Sequence, residues 1–386
     1  MNFKALFLFV ALWSLLVYYP LAHMVWVENG FIASLGSVDF AGGNVVHISS
    51  GITAFVLAIW LGKRKGYDQV AYRVHNIPFV VLGATLLWFG WYGFNAGSTL
   101  GANGLAAHAF MTSAIVSASA LLSWMLIDVI VDGKPTLVGA STGLVVELVA
   151  ITPGAGFVPI WASFIIGALV SPICYFGVKV VKSKCRIDDS LDAFGCHGLG
   201  GIWGGIATGL FGMTSINDVA QWNGLFFGQT ELFAAQLEGI VITILIAVVG
   251  TLICGFIVKC FVPLRATAKQ EAIVWEEAFE DVKAALNEIE VKGLTVYQVM
   301  GCGIQKGYNE VVRGVKVDLQ MQPKIKFEIV VSSPEWEKKT IDAISKAAYT
   351  GEIGDGKIFS YEIRSAYRIR TKETGYDAIQ PTNHME

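Results

Sequence analysis

The stretch DFAGGNVVHISSGITAFVLAIWLG, residues 39–62, decides the fold. From Gly43 onward it is apolar over the ~20 residues that a bilayer-spanning helix needs. It nevertheless places a histidine, His47, inside that run, with an acid, Asp39, just ahead of it. An ionisable side chain at bilayer depth is costly unless it faces a cavity or a partner, so His47 is a candidate functional residue from the outset.

Apolar runs recur on either side, at 4–26, 79–98, 105–131, 137–152, 157–181, 196–213 and 232–263, which with 43–62 makes about eight expected spans. The first run has Lys4 at its head, like a secretory signal. No small-x-small cleavage site follows it, however, and the apolar stretch continues through Pro20 to Trp26, which favours a span. The chain of 386 residues is 54% apolar and 15% charged, with a mean hydropathy of +0.56. Those values exclude one or two ordinary soluble domains. A net charge of −3 gives no basic footprint for nucleic acid. Six cysteines without a CxxC pair, Cys174, Cys185, Cys196, Cys254, Cys260 and Cys302, read as free thiols and neither disulfides nor zinc ligands.

Charge is spread unevenly: residues 1–269 carry 25 charged side chains and residues 270–386 carry 34. The step divides a membrane domain, 1–265, from a soluble domain, 271–386, through a short linker at 266–270. Basic residues sort by loop. Lys63, Arg64, Lys65 and Arg73 follow the second run, Lys134 the fourth, Lys179, Lys182, Lys184 and Arg186 the sixth, and Lys259, Arg265 and Lys269 the last. The alternate loops 27–42, 99–104, 153–156 and 214–231 hold no Lys or Arg. By the positive-inside rule both termini and the charged domain are cytoplasmic, in a multi-pass protein of the plasma membrane.

A second histidine within an apolar run rhymes with the first. His197 lies in DAFGCHGLGGIWGG (192–205), again with small residues around it and an acid upstream, Asp192. Such correspondence between two halves is the mark of an internal repeat with a site at the repeat interface. Two neutral imidazoles in contact can share a proton, one ring donating to the other, and line an apolar passage; two separate histidines bonded to carbonyls would satisfy the same sequence. Toward one end of the third run, WFGWYGFNAGS (88–98) gathers Trp88, Trp91, Tyr92, Phe94 and Ser98, while Trp26 closes the first run. Tryptophan faces and a hydroxyl suit a small cation, and an interfacial aromatic belt accounts for them equally. Glu147 stands isolated in LVVELVAIT (144–152) with no partner in the sequence, and Asp128 lies near a cytoplasmic end within reach of water.

After Lys269 the hydrophobic period shortens. EAIV (271–274) reads as a strand, EDVKAALNEI (280–289) as an amphipathic helix, GLTVYQVMG (293–301) and KIKFEIVV (324–331) as strands, TIDAISKAAY (340–349) as a helix and KIFSYEIRSAYRIR (357–370) as strand-rich. The order β-α-β-β-α-β is the ferredoxin-like plan. Residues 301–324 are long and polar for a hairpin connection, which points to function or disorder. TGEIGDGK (350–357) can cradle an anion with its backbone N–H groups, helped by Lys357. Arg368 and Arg370, two apart on an expected strand, would share a face and clamp phosphate.

Across residues 3–265 the chain resembles the ammonium transporters of the Amt/Mep/Rh family, through PLAHMVW, DFAGGNVVH, GWYGFNAGS, GKPTLVGASTG and RIDDSLDAFGCHGLGGI. Residues 271–379 resemble PII signalling proteins of the GlnB/GlnK type, through KAALNEI, GLTV, QKG, RG, TGEIGDGKIF and RIRTKETG. The first resemblance implies an ammonium-transporter fold, a homotrimer with one pore per subunit, and transport of ammonium or ammonia without a cofactor. Trp26 and Ser98 would recruit the ion, Phe94 and Trp91 would gate it, His47 and His197 would line the pore, and Asp39 would support the outer site.

The second resemblance implies a domain that binds ATP or ADP, and 2-oxoglutarate with magnesium. Gly303, Gln305, Gly354, Gly356, Lys357, Arg368 and Arg370 match nucleotide positions, Gln305 reaching the metal and, with Lys324, the 2-oxoglutarate. Arg313 matches the arginine that plugs the transporter's cytoplasmic mouth. Eleven spans are usual in the first family, and the three that come first there are not in this sequence. Ile304 replaces a usual arginine beside the nucleotide, and Val317 replaces a tyrosine that many relatives have uridylylated. Two functions are therefore expected in order: a self-regulated ammonium transporter, and a non-conducting ammonium receptor signalling through its sensor domain. No nucleophile–base pair supports an enzyme.

Overall fold

The computed structural model describes residues 1–64, 76–266, 279–291, 293–301, 309–312, 315–318, 322–349 and 356–379. They fall into two compact units, Met1–Ala266 and Thr267–Glu386.

Helices stand at all eight apolar runs of the first unit. They are α1 Phe3–Trp26 and α2 Gly43–Leu61, α3 Ile77–Gly97, α4 Gly104–Asp132 and α5 Leu137–Ile151, α6 Ile160–Lys184, α7 over 194–211 and α8 Glu231–Phe261. Among the described residues six are long and apolar enough to cross a membrane; α5 is shorter, and α7 does not qualify because His197 and a run of glycines dilute it. Side-chain caps start several of them: Asn76 accepts from the Phe79 N–H, Asn103 from Ala106 and Thr136 from Gly139, which satisfies helix-end donors that lipid cannot.

The core lies where α4, α5, α6 and α7 meet, around Val116, Trp124, Val146, Ile166, Val170 and Phe211. Small residues let the backbones close in: a Cβ on Gly167 would stand 2.6 Å from the Val116 carbonyl. Outward, Phe79, Phe89, Phe164 and Phe256 are exposed, as an apolar solvent permits.

At one end of the helices Arg64, just past α2, grips Asp188 ahead of α7. Its Nη2 and Nε donate at 2.7 and 2.8 Å, and its backbone N–H adds a third bond at 2.8 Å. Beyond α8, Arg265 donates to the Leu61 and Lys63 carbonyls at 3.1 and 2.7 Å. Burial pushes the Asp188 carboxyl up, but the hydrogen bonds and charge of Arg64 outweigh it and hold the group below the usual carboxylate range. A carboxylate depressed by folding stabilises the fold above its unfolded pKa and ceases to do so as pH falls through the folded one. Melting curves from pH 7 down to about 3 are therefore expected to show an acid-side loss that Asp188→Asn removes. An unchanged acid slope in the variant would contradict this tie.

In the second unit α9 Phe279–Glu288 is followed by β1 Leu294–Gly301, β2 Asn309–Val312, β3 Val315–Asp318, β4 Gln322–Ile329, α10 Pro334–Ala348 and the short α11 Tyr376–Ile379. Strands β1 and β4 pair antiparallel from Leu294↔Ile329 to Gly301↔Gln322, with Val299 opposite Lys324. Ser333 caps α10 by accepting from the Trp336 N–H, with Pro334 in the first turn.

Two expectations need amendment here, and a third is not tested. The strand at 271–274 lies outside the described residues. The polar connection 301–324 holds its own hairpin, β2 against β3, in register from Asn309↔Asp318 to Val312↔Val315. The strand expected over 357–370 is absent among the described residues, which carry only an isolated bridge, Tyr367↔Thr374. A strand forms only beside a partner edge, and here Phe359, Tyr361 and Ile363 remain exposed.

Candidate functional site

The two histidines meet. His47 on α2 and His197 on α7 place their Nδ1 atoms 3.2 Å apart, with ring centroids at 5.3 Å. At that distance one Nδ1–H donates and the other Nδ1 accepts, so the outer Nε2 atoms are left as one acceptor and one donor. The Nε2 of His47 is buried and has no hydrogen-bond partner.

Glycine brings the rings together. A Cβ on Gly51 would land on the backbone nitrogen of Gly198, and one on Gly201 would stand 3.1 Å from the Cβ of His47. Each histidine also sits in a π-helical turn, Gly43–Ile48 and Phe194–Leu199. Such turns widen a helix by one residue and recur at functional sites, and no feature of the sequence announced them.

Carboxyls organise both turns. Asp39 accepts from the backbone N–H groups of Gly42, Gly43, Asn44 and Val45 at 2.9, 2.6, 2.7 and 3.4 Å. Burial nonetheless raises its pKa, the four bonds offsetting only part of that. Gly42 adopts φ +121°, which a residue with a Cβ avoids. In the second half the matching acid is Asp189, which accepts from Ala193 and Phe194 at 3.1 and 2.8 Å. Asp192, the acid expected to correspond to Asp39, instead pairs with Lys182 at 2.6 Å. The signal was present in the spacing, since Asp39 precedes His47 by the same interval as Asp189 precedes His197.

Aromatic residues wall one side of the pair. Trp91 stacks on His47 with centroids 5.3 Å apart and planes at 20°, and Phe94 lies 6.2 Å from the same ring. Trp91 is held by its indole N–H donating to Thr152 Oγ1 at 3.1 Å; Thr152 reaches Asn95 Oδ1 at 3.3 Å, and Asn95 Nδ2 donates to Ser113 at 2.9 Å. Thr152, Asn95 and Ser113 were not singled out in the sequence.

Trp26 and Ser98, expected to recruit the ion, are each held by a backbone carbonyl. Trp26 donates its indole N–H to the Asp39 carbonyl at 2.9 Å and keeps 45% of its surface exposed. Ser98 donates to the Phe94 carbonyl at 2.8 Å, leaving its oxygen free to accept.

Of the second unit's expected ligand residues, Gly303, Gln305, Arg313 and Gly354 lie outside the described residues. Gly356 and Lys357 are exposed in irregular backbone, and the Lys324 backbone sits on β4. Arg368 is in irregular backbone just ahead of a turn, its Nη1 on Glu373 at 2.7 Å and its Nε on the Ala378 carbonyl at 3.2 Å. The shared strand face expected for Arg368 and Arg370 is therefore not formed, since the strand that would impose it is missing. No group of three metal-binding side chains occurs among the described residues.

Residues 1–281 match the family model described as Ammonium Transporter Family, and residues 268–373 the model described as Nitrogen regulatory protein P-II. The chain is 49% identical over 273 residues to an ammonium transporter of Bacillus subtilis (strain 168), an alignment covering 71% of this chain and 67% of that protein. Among solved structures it is similar to Mep2 of Saccharomyces cerevisiae, with a TM-score of 0.64, 36% identity, and 69% and 61% of the two chains covered. It is also similar to a sensor Amt protein, with a TM-score of 0.56, 27% identity, and 63% and 60% covered. The chain thus spans about two thirds or less of the length of the relatives it matches.

Proposed function

The chain belongs to the ammonium transporter family and carries a C-terminal P-II domain, and on that premise we propose that it moves ammonium across the plasma membrane along the His47–His197 pair under control of the P-II domain. One observation carries this reading: two imidazoles in contact where α2 meets α7, with a buried Nε2 left unpartnered.

Chemistry follows from that arrangement. Ammonium, recruited by the Trp26 face and the Ser98 oxygen, sheds water and gives up its proton at the entrance to an apolar passage, where crossing neutral is far cheaper than crossing charged; the proton travels separately along the paired rings of His47 and His197, so one net charge crosses with each ammonia. Neutral ammonia, both donor and acceptor, then meets one accepting and one donating Nε2. Phe94 and Trp91 stand on the approach and exclude water. In this reading eight helices span the membrane, three chains assemble as a homotrimer, both termini are cytoplasmic, and Asp39 and Asp189 hold the two histidine turns in place. Replacing either histidine with an apolar residue tests the pair directly.

Regulation is proposed from the second domain. ATP or ADP, and 2-oxoglutarate with magnesium, bind through Gly303, Gln305, Gly354, Gly356, Lys357, Arg368, Arg370 and Lys324. The segment 301–324, to which Arg313 belongs in sequence, is the inhibitory element. Tethering raises its effective concentration to about the millimolar range. ADP is expected to inhibit ammonium-evoked current in vesicles carrying the full chain, and Arg313→Ala to remove that inhibition with basal current intact; persisting inhibition would refute the role of Arg313.

A second reading, a receptor that binds ammonium without conducting it, draws support from the similarity to a sensor Amt protein. Binding without flux, together with altered nucleotide affinity of the second domain, distinguishes it.

A further inference from the structure

Glu147 has no task in a conduit built on His47 and His197. It sits about one turn from the C-terminal end of α5 with 0% of its surface exposed, and neither carboxyl oxygen has a hydrogen-bond partner. Buried carboxyls ordinarily meet donors, because stripping their water without replacing its hydrogen bonds is costly.

The donors beside it, the Ser117 hydroxyl and the Leu121 backbone N–H, lie outside hydrogen-bond geometry to the carboxyl oxygens. The Ser117 hydroxyl, next to the carboxyl, donates to the Ser113 carbonyl at 2.8 Å. The Trp88 indole N–H donates to Ser117 Oγ at 3.0 Å. Tyr92, also close to the carboxyl, stacks on Phe110 with centroids 4.3 Å apart and lies 5.4 Å from the Trp88 ring. From α3 the titratable group facing Glu147 is Tyr92. From α4 come Ser117 and the backbone of Leu121, and no charged side chain on α4, α6 or α7 acts on it among the described residues.

What remains is an excess of acceptors and π faces: two carboxyl oxygens, a spare lone pair on Ser117, and the rings of Trp88 and Tyr92. The complement is a small cation that brings its own donors. We propose that Glu147, Ser117, Tyr92 and Trp88 form an intramembrane binding site for ammonium, distinct from the histidine pair, in which the ion takes the place of the carboxyl's proton. The empty site carries the neutral acid, since an uncompensated charge is disfavoured there. On binding, the carboxyl O–H bond breaks with its electron pair left on oxygen, the proton passes to water, and the carboxylate accepts from ammonium N–H groups, so charge is conserved. The site is coupled to the passage. Ser113 accepts from Asn95, Asn95 from Thr152, and Thr152 from Trp91, which stacks on His47.

Only the choice of ammonium over another donor cation rests on the proposed transport. Infrared difference spectra of the full chain in liposomes at constant pH, with ammonium chloride against sodium chloride, test the site. Ammonium is expected to remove the carbonyl stretch of a protonated carboxyl, sodium to leave it, Glu147→Gln to lack the responsive band and Glu147→Asp to shift it. A wild-type band indifferent to ammonium, an equal response to sodium, or the same response in Glu147→Gln would overturn the proposal. Flux measured on the same vesicles separates the two readings. Flux with a silent band overturns the Glu147 site and leaves transport standing, whereas a responsive band without flux upholds the site and contradicts transport.

Discussion

Replacing His47 or His197 with leucine is expected to lower the ammonium-evoked current of vesicles carrying the full chain by roughly tenfold or more. Ammonia inside an apolar passage has lost its water. The pair offers one Nε2 that accepts and one that donates, each bond worth about 1 kcal/mol net in an ordinary setting and more where water is excluded. Leucine fills the same space without either atom. It also strands the surviving ring, whose Nδ1 loses its partner at 3.2 Å. The two single variants are expected to cost nearly as much as the double, because either one breaks the shared bond. Currents that persist in both single variants would remove the histidines from the passage.

The second large effect comes from a residue with no side chain. Gly51→Ala drives a Cβ into the backbone nitrogen of Gly198, next to His197, and backbone cannot swing aside as a flexible side chain does. Helices α2 and α7 must separate, which opens the Nδ1 contact and disturbs the packing between them. Overpacking of this kind costs about 1–3 kcal/mol. Thermal unfolding of the detergent-solubilised protein is expected several degrees lower, with flux falling at the same time. Ser50→Ala is the mild comparison, since it removes only a hydroxyl donating to the His47 carbonyl at 3.2 Å. A Gly51→Ala chain with unchanged melting and flux would contradict the close crossing.

Much of this is legible in the sequence, because lipid imposes a simple rule: apolar length makes helices, and a polar residue within that length needs a reason. His47 and His197 stood out on that ground, and so did the boundary in charge near Lys269. What escaped reading depends on the backbone's detailed path. The π turns around the histidines leave no compositional trace. Asp189 was passed over for Asp192, which lies nearer His197 in sequence, whereas capping depends on which carboxyl reaches the free N–H groups. Thr152, Asn95 and Ser113 each read as a small polar residue in an apolar run, and only their convergence from three elements makes them a support for Trp91. In the second unit, periodicity found β1, β4 and the main helix, whose partners lie within the described chain. It overstated 357–370, where alternation is present but no neighbouring strand takes it up.

The most direct test of the central claim is the current recorded when an ammonium step is applied to proteoliposomes carrying the full chain, with ammonium binding measured on the same preparation. Conduction through the histidine pair predicts a current that rises with ammonium and is lost in His47→Leu. Saturable binding with no current above empty liposomes would contradict it and leave the chain a receptor.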